Sequence, residues 1–420
     1  MTTTVVNGET LISTRVDEGQ RTIADTPFTV SWLLDVLEKE DNEFIQRVNG
    51  TSVSHVTGYD ISDGKGFVSR VYKVTIDFED ACEPHFVILK VPGTESFDKL
   101  CENGTNPARL PSVIEAHNRE VYFYKHYAPK LDFHFVKIFS AQEWILDKQR
   151  GCILMESLLE KSATQSVFTG LNRHQLKAIA YELAKLHSSF MLMPEVEWKG
   201  KFPNKTFKSA TLIEFLETFM MLVAKQRPEV FAKGVEELLP YAKSTEFLSY
   251  STAGVAEDVG LPTVMIHGDM WNNNIMFKLH EDGSVSNEIH SILDWQIITE
   301  GCVTFDFARL FLLSCDGDVR RELEYEILEF YYEHLKRFLE ESGHEISFNL
   351  KQVNEAYRIN MVNQTLHAIA LVPIFGKLQG ETPREKAIWK ARQDRIALRA
   401  QMAMEDCLEV LKEFPIEKFL

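Results

Sequence analysis

The chain of 420 residues has six cysteines and no CxxC pair among them. Cys82, Cys101, Cys152, Cys302, Cys315 and Cys407 follow neither zinc-ligand spacing nor that of a small disulfide scaffold, so reduced thiols are expected. No run approaches the ~18 apolar residues of a membrane span. The start, MTTTVVNGET, lacks a basic region followed by an apolar stretch, so no signal peptide is expected. The closing IEKFL is no lipidation or retention signal. Positive charge is in short supply: 45 Lys and Arg against 62 Asp and Glu leave a net charge of −17. That balance argues against a nucleic-acid backbone as partner. A cytoplasmic chain with no nucleic-acid partner and no membrane span is the expectation.

Apolar material is plentiful, with 45% hydrophobic and 11% aromatic residues, so a large core needs no metal or disulfide staple. Residues 1–22 are polar and patternless and read as a mobile tail. TVSWLLDVLEKE repeats Val30, Leu33, Leu34 and Leu37 at helical spacing. RVYKVTIDF alternates with period two and, across the turn EDACEP, pairs with the buried strand HFVILKV. EWIL, the turn DKQRG and CILMES read as a second hairpin. One helix, PSVIEAHNREVYFYKHY, lies between the hairpins, with Ile114, Val121 and Tyr124 on a shared face. After Ser157 the pattern turns helical. NRHQLKAIAYELAKLHSSF places Leu176, Ile179, Ala180, Leu183 and His187 on one stripe, His187 being read as packing. Thr382, Pro383 and Glu385 open a long final helix with a capping box. A β-rich part, 23–157, therefore precedes a helix-rich part, 158–420: an α+β chain.

Chemistry is concentrated in VMIHGDMWNNNIMFK, residues 264–278, where apolar segments flank a polar cluster. Asp269 is followed five positions later by Asn274, and after nineteen further residues by Asp294. A short hairpin is read in between: IMFKL, the turn HEDGSVSNE, then IHSIL. Carboxylate and amide oxygens suit Mg²⁺, a hard cation that keeps waters and bridges phosphates. A second carboxylate, not needed as a ligand, can take a proton from an attacking hydroxyl. That is the division of labour in kinase-type phosphoryl transfer. His267 reads as a brace for this loop rather than as a base.

The β-rich part would then handle a nucleotide. Lys90 is a lone charge in FVILKV, and a central strand tolerates a buried lysine poorly unless it is paired. Glu120 on the following helix is the natural partner, and the two would hold the ammonium against phosphates. In the loop SDGKGFVS, Gly64 and Gly66 allow close backbone approach to phosphate, and Ser69 closes the segment. CILMESL would connect the two parts, with the backbone of Met155, Glu156 and Ser157 at the adenine edge.

On HGDMWNNNIMF, ILDWQ, the lysine of VILK, NREVYFY and ELAKLH, the chain resembles the choline-kinase and aminoglycoside-phosphotransferase branch of the protein-kinase-like fold. It looks most like the ecdysteroid-kinase-like, or CHK kinase-like, family, over roughly residues 25 to 415. The resemblance implies a bilobal fold with a small β-rich N-lobe and a large helical C-lobe, ATP and Mg²⁺ as cofactors, and a small-molecule hydroxyl as acceptor. A sterol-like or other hydrophobic alcohol is the acceptor it favours, ahead of choline or another amino alcohol. A silent kinase-like binding protein is the alternative from another class. By the same resemblance Asp269 matches the catalytic aspartate, Asn274 and Asp294 the metal ligands, Lys90 the phosphate-binding lysine and Glu120 its ion-pair partner. Asp306, in TFDFARLF, matches a brace of the catalytic loop. LDWQ stands where protein kinases carry DFG, and only eleven residues, Trp295 to Phe305, separate Asp294 from Asp306. That is too short for a peptide-binding activation segment, so a protein acceptor is not expected.

Overall fold

The structure is a computed structural model that describes residues 3–6, 9–15, 19–62, 69–80, 83–94, 110–205, 209–376 and 380–419. It divides into two compact units: 1–130 with 135–161, and 131–134 with 162–420.

The first unit is built on one seven-stranded sheet. Its strands are β1 (Thr3–Val6), β2 (Glu9–Arg15), β3 (Val53–Asp60), β4 (Ser69–Phe78), β5 (His85–Pro92), β6 (Ile138–Gln142) and β7 (Cys152–Glu156), in the order β1-β2-β3-β4-β5-β7-β6. Two expectations are corrected here. Residues 1–22 were read as a mobile tail, but β1 pairs with β2 and β2 with β3, Ile12 lying opposite Gly58. The β-branched residues of TTVV and ETLISTR favour the extended backbone even where the polar content is high. The partner of β7 is β6 rather than EWIL, which contributes only a bridge from Ile145 to Gln149.

Helices α1 (Val30–Glu40) and α2 (Asn42–Val48) bury Leu33, Leu37 and Phe44 with Val56, Val74, Ile76, Val87, Leu89 and Leu154 of the sheet. β4 alternates as its sequence says, whereas β5 is buried on nearly every residue because both of its faces are covered. Val87, Leu89 and Val91 face the apolar cluster, so Lys90 points to the opposite face. That face meets α3 (Leu110–His126), whose buried side is Val113, His117, Glu120, Val121 and Tyr124; Ile114 is only half-buried.

The second unit is helical, with two small sheets. Its long helices are α4 (Arg173–Leu192), α5 (Ala210–Gln226), α6 (Pro228–Lys243), α7 (Phe305–Ser314), α8 (Gly317–Glu341), α9 (Leu350–Phe375) and α10 (Pro383–Leu411). The capping box that opens α10 is formed, with Glu385 N–H donating to Thr382. α9 runs through the middle of the unit and is buried along most of its length. His187 of α4 is wholly buried and bonds the Tyr331 hydroxyl at 2.7 Å through Nδ1. The first small sheet has β10 (Ile275–Leu279) between β8 (Ser162–Thr164) and β11 (Val285–Ile292). The second pairs β9 (Thr263–Ile266) with β12 (Thr299–Cys302). The β10–β11 turn is shorter than expected, with His280 N–H donating to Ser284 O at 2.9 Å.

Candidate active site

β9 delivers the chain into the loop that carries Asp269. His267, the first residue after β9, is fully buried, and its amide donates to Asp306 Oδ2 at 2.7 Å. The Gly268 amide donates to Asp306 Oδ1 at 2.8 Å, so one carboxylate at the start of α7 holds two successive loop amides. Burial pushes the Asp306 carboxyl above its usual range, and these two amide bonds oppose that push. The His267 ring closes the loop from the other side. Its Nδ1 accepts the Asp269 amide at 3.1 Å and its Nε2 bonds Leu293 O at 2.9 Å. This pattern requires a bare Nδ1 and a protonated Nε2. The brace expected of His267 and Asp306 is thus a pair of backbone clamps.

Gly268 has φ +82°, and a Cβ there would sit 2.7 Å from Ile297 O. Only glycine meets both conditions. The turn it makes sends Asp269 out of the strand direction.

Asp269 is half-buried and both its oxygens are engaged. Oδ2 accepts from Asn274 Nδ2 at 3.1 Å, and Oδ1 accepts from Arg309 Nε at 2.6 Å. The same Asn274 Nδ2 donates to Asp269 O at 2.9 Å. Both amide hydrogens of Asn274 are spent on Asp269, which leaves its Oδ1 for another partner. Asn274 O accepts the Leu293 amide at 2.8 Å, and Ile275 lies opposite Ile292 in the β10–β11 ladder. Leu293 is thereby held at both its N–H and its C=O, and Asp294 follows it directly. Asp294 has φ +68°, a left-handed conformation that non-glycine residues adopt with strain. Gln296 Nε2 donates to Asp294 Oδ2 at 3.2 Å. Trp295 beside it is buried, packs on His267 with ring centroids 4.6 Å apart and planes tilted by 57°, and donates Nε1–H to Ile292 O at 3.0 Å.

In the first unit, Lys90 Nζ lies 2.7 Å from Glu120 Oε2, both side chains being buried. One turn before Glu120, His117 bonds Gln142 O at 2.8 Å, and burial lowers its imidazole to about 4. Ser69 is buried at the start of β4 opposite Pro92, and Met155 pairs with Ile88 near the end of β7. The Glu156 amide is already committed to Lys137 O at 3.0 Å, so that group is not open to a ligand. Ser157 follows the strand. Gly64 and Gly66 lie outside the described residues. Asp269 and Asn274 are thus bonded in the second unit, with Asp294 directly after the Leu293 whose amide donates to Asn274 O, and Lys90 is paired with Glu120 in the first.

Arg309 and Gln364 were missed in the sequence. Arg309 is the lone cation of FDFARLFLL, the same signal that singled out Lys90. Gln364 belongs to a buried polar stripe on α9, Asn360, Asn363, Gln364 and His367, at helical spacing.

Among known proteins, the chain is 26% identical over 374 residues to a Caenorhabditis elegans protein named Uncharacterized oxidoreductase dhs-27. The match covers 86% of this chain and 44% of that protein, so the chain spans less than half the length of this relative. It is 21% identical over 320 residues to the Caenorhabditis elegans Uncharacterized kinase-like protein D1044.1, covering 74% of this chain and 81% of the other. Among solved structures it is similar to choline kinase from Cryptosporidium parvum, with TM-score 0.44, 12% identity, and 93% and 97% of the two chains covered. It is also similar to ethanolamine kinase from Plasmodium vivax, with TM-score 0.41, 14% identity, and 91% and 89% covered. Residues 42–414 match the model of the family described as DUF1679, Uncharacterized oxidoreductase dhs-27, and the chain belongs to that family.

Proposed function

We propose that this chain is an ATP- and Mg²⁺-dependent phosphotransferase that moves the γ-phosphate of ATP to a hydroxyl of a small molecule. The observation that carries the reading is the Asp269–Asn274 pair: one carboxylate fixed beside one amide whose oxygen stays free. In this reading Asp269 Oδ2 accepts the proton of the acceptor hydroxyl as its oxygen bonds phosphorus, and ADP leaves with the electrons of the broken P–O bond. Lys90, held by Glu120, would pair with phosphate oxygens of the nucleotide.

The donor set fits Mg²⁺. Asn274 Oδ1 and the Asp294 carboxylate are the hard oxygens that would hold it. Among the described residues no group of three or more His, Cys, Asp or Glu could hold a metal. Mg²⁺ asks for fewer protein ligands than that, since it is held through one or two carboxylates together with substrate phosphates. When bound, the ion would neutralise charge on the transferring phosphate.

For the acceptor we favour a sterol-like or other hydrophobic alcohol over an amino alcohol, and a cytoplasmic setting; no helix among the described residues is long and apolar enough to cross a membrane. The name oxidoreductase belongs to a relative of which this chain spans under half, and in the phosphotransferase reading Asp269 would be a base and Asn274 and Asp294 hard oxygen ligands. The test is ADP release from Mg·ATP against steroids, amino alcohols and glycosides, with product mass checked for one added phosphate. ADP release with a phosphorylated product is expected. ATP that neither binds nor turns over with any acceptor would leave a kinase-like binding protein.

A further inference from the structure

We propose that Arg309 is the positioning residue of this site: it holds Asp269 so that Oδ2 alone receives the acceptor's proton. The inference rests on the phosphotransferase reading and adds a residue to it.

The hold is two-pronged. Arg309 Nε donates to Asp269 Oδ1 at 2.6 Å, and Nη2 lies 2.5 Å from the same oxygen as an ion-pair contact. The Nε bond takes one lone pair of Oδ1, and Nη2 keeps the guanidinium charge against the same oxygen. Among the described residues Oδ2 accepts from Asn274 alone, at 3.1 Å, which leaves it one direction for a hydroxyl. With Asn274 as its only anchor, the carboxylate could turn about Cβ–Cγ and exchange its oxygens. A guanidinium fork bound at one oxygen removes that freedom, and such charge-assisted bonds are the stronger kind.

Arg309 is itself oriented. Its Nη1 donates to Gln364 Oε1 at 3.0 Å. Gln364 Nε2 donates to Asn363 Oδ1 at 2.9 Å, Asn363 Nδ2 to Ser251 Oγ at 2.8 Å, and Ser251 Oγ to Phe247 O at 2.7 Å. The chain runs in one sense. Turning the Gln364 amide over would face its NH₂ to the guanidinium and its oxygen to Asn363 Oδ1, losing both bonds. Gln364 and Asn363 are wholly buried, and a core helix bears such a stripe cheaply only when every member is satisfied. His367, one turn on, stays uncharged because burial and then the Arg309 charge lower its imidazole to about 3. The α9 stripe is therefore a fixed bracket that ends on the carboxylate of the proposed base.

The test uses the full chain with Mg·ATP and water as the acceptor, reading ADP release. R309A should lower kcat by about tenfold to a hundredfold, the scale of a misplaced reacting group, while KM for ATP stays within about twofold. Q364L should lose less than R309A, and R309K, which keeps the charge but not the fork, should fall between R309A and wild type. Guanidinium ion at sub-denaturing concentration should raise the kcat of R309A and not that of the R309A and D269N double variant. A purely structural arginine would not show this rescue. If R309A does not fold, R309K and Q364L give the same split of kcat from KM. Unchanged kcat in R309A or, where it does not fold, in R309K and Q364L overturns the inference. So does a loss that guanidinium leaves unrelieved and that comes with KM for ATP rising in step. Wild-type chain that releases no ADP with water or with any steroid, amino alcohol or glycoside overturns it together with the kinase reading, whereas the first two outcomes leave that reading standing.

Discussion

Lys90 Nζ sits 2.7 Å from Glu120 Oε2 on the face of β5 that turns away from the apolar cluster of its unit. Both partners are buried, so removing either takes a counter-charge at 2.7 Å away from a buried ion. We expect Glu120→Ala to destabilise the protein by about 3 kcal/mol or more, and the Lys90→Met, Glu120→Leu double variant to recover most of that loss. Urea unfolding checks the pair. If Lys90 pairs with nucleotide phosphate as proposed, Glu120→Ala should also abolish the thermal shift given by Mg·ATP.

The two aspartates of the second unit should separate cleanly. Asp269→Asn should lower kcat by roughly 10²-fold or more with nucleotide affinity retained, because a base acts on the acceptor and not on the nucleotide. Asp294→Asn should remove the Mg²⁺-dependent part of the nucleotide's thermal shift. That shift reflects about 2.7 kcal/mol at a hundred times the dissociation constant. Equal shifts with and without Mg²⁺ in wild type and variant alike would remove Asp294 from the metal site.

Residues that stand out by local pattern, and the pairings Lys90–Glu120 and Asp269–Asn274, were legible in the sequence. A lysine in an apolar strand, an aspartate and asparagine five positions apart and an aspartate after a hairpin all advertise themselves by chemistry that has no reason to be there. Arg309 carried the same kind of signal but lies forty positions after Asp269, and its partnership arises only because Asp306, three residues earlier, pins the start of α7 to the loop amides. The α9 stripe was harder still, since polar residues at helical spacing more often mark a solvated face. The β6–β7 pairing was missed because EWIL looks as strand-like as IFSAQ, and strand register depends on tertiary neighbours.

Gly268→Ala should damage both stability and turnover. The new Cβ would adopt φ +82° and meet Ile297 O at 2.7 Å, a backbone atom that cannot swing aside. A loss of about 1–3 kcal/mol is expected from the strained backbone alone. Because the displaced amide is one that Asp306 holds, ADP release should fall more than the stability loss explains. Thermal unfolding and turnover measured on the same preparation separate the two, and a variant with wild-type values for both would mean that the turn is not constrained.

Acid should weaken the second unit through buried imidazoles. Burial holds His187 at about 3 and His367 also at about 3, against an unfolded value of 6.5. Between those limits the unfolded chain binds protons that the folded chain refuses, so stability falls as pH falls from about 6.5 towards 3. Each such histidine contributes about 1.4 kcal/mol per pH unit within that window. His187→Gln keeps a polar group near the Tyr331 hydroxyl but cannot take up a proton. It should cost stability at neutral pH and flatten the decline below pH 6.5 by one histidine's share. Urea midpoints between pH 7.5 and 4.5 would show this as converging curves for wild type and variant. Parallel curves would mean that His187 is protonated in the folded state or that its site opens before it titrates.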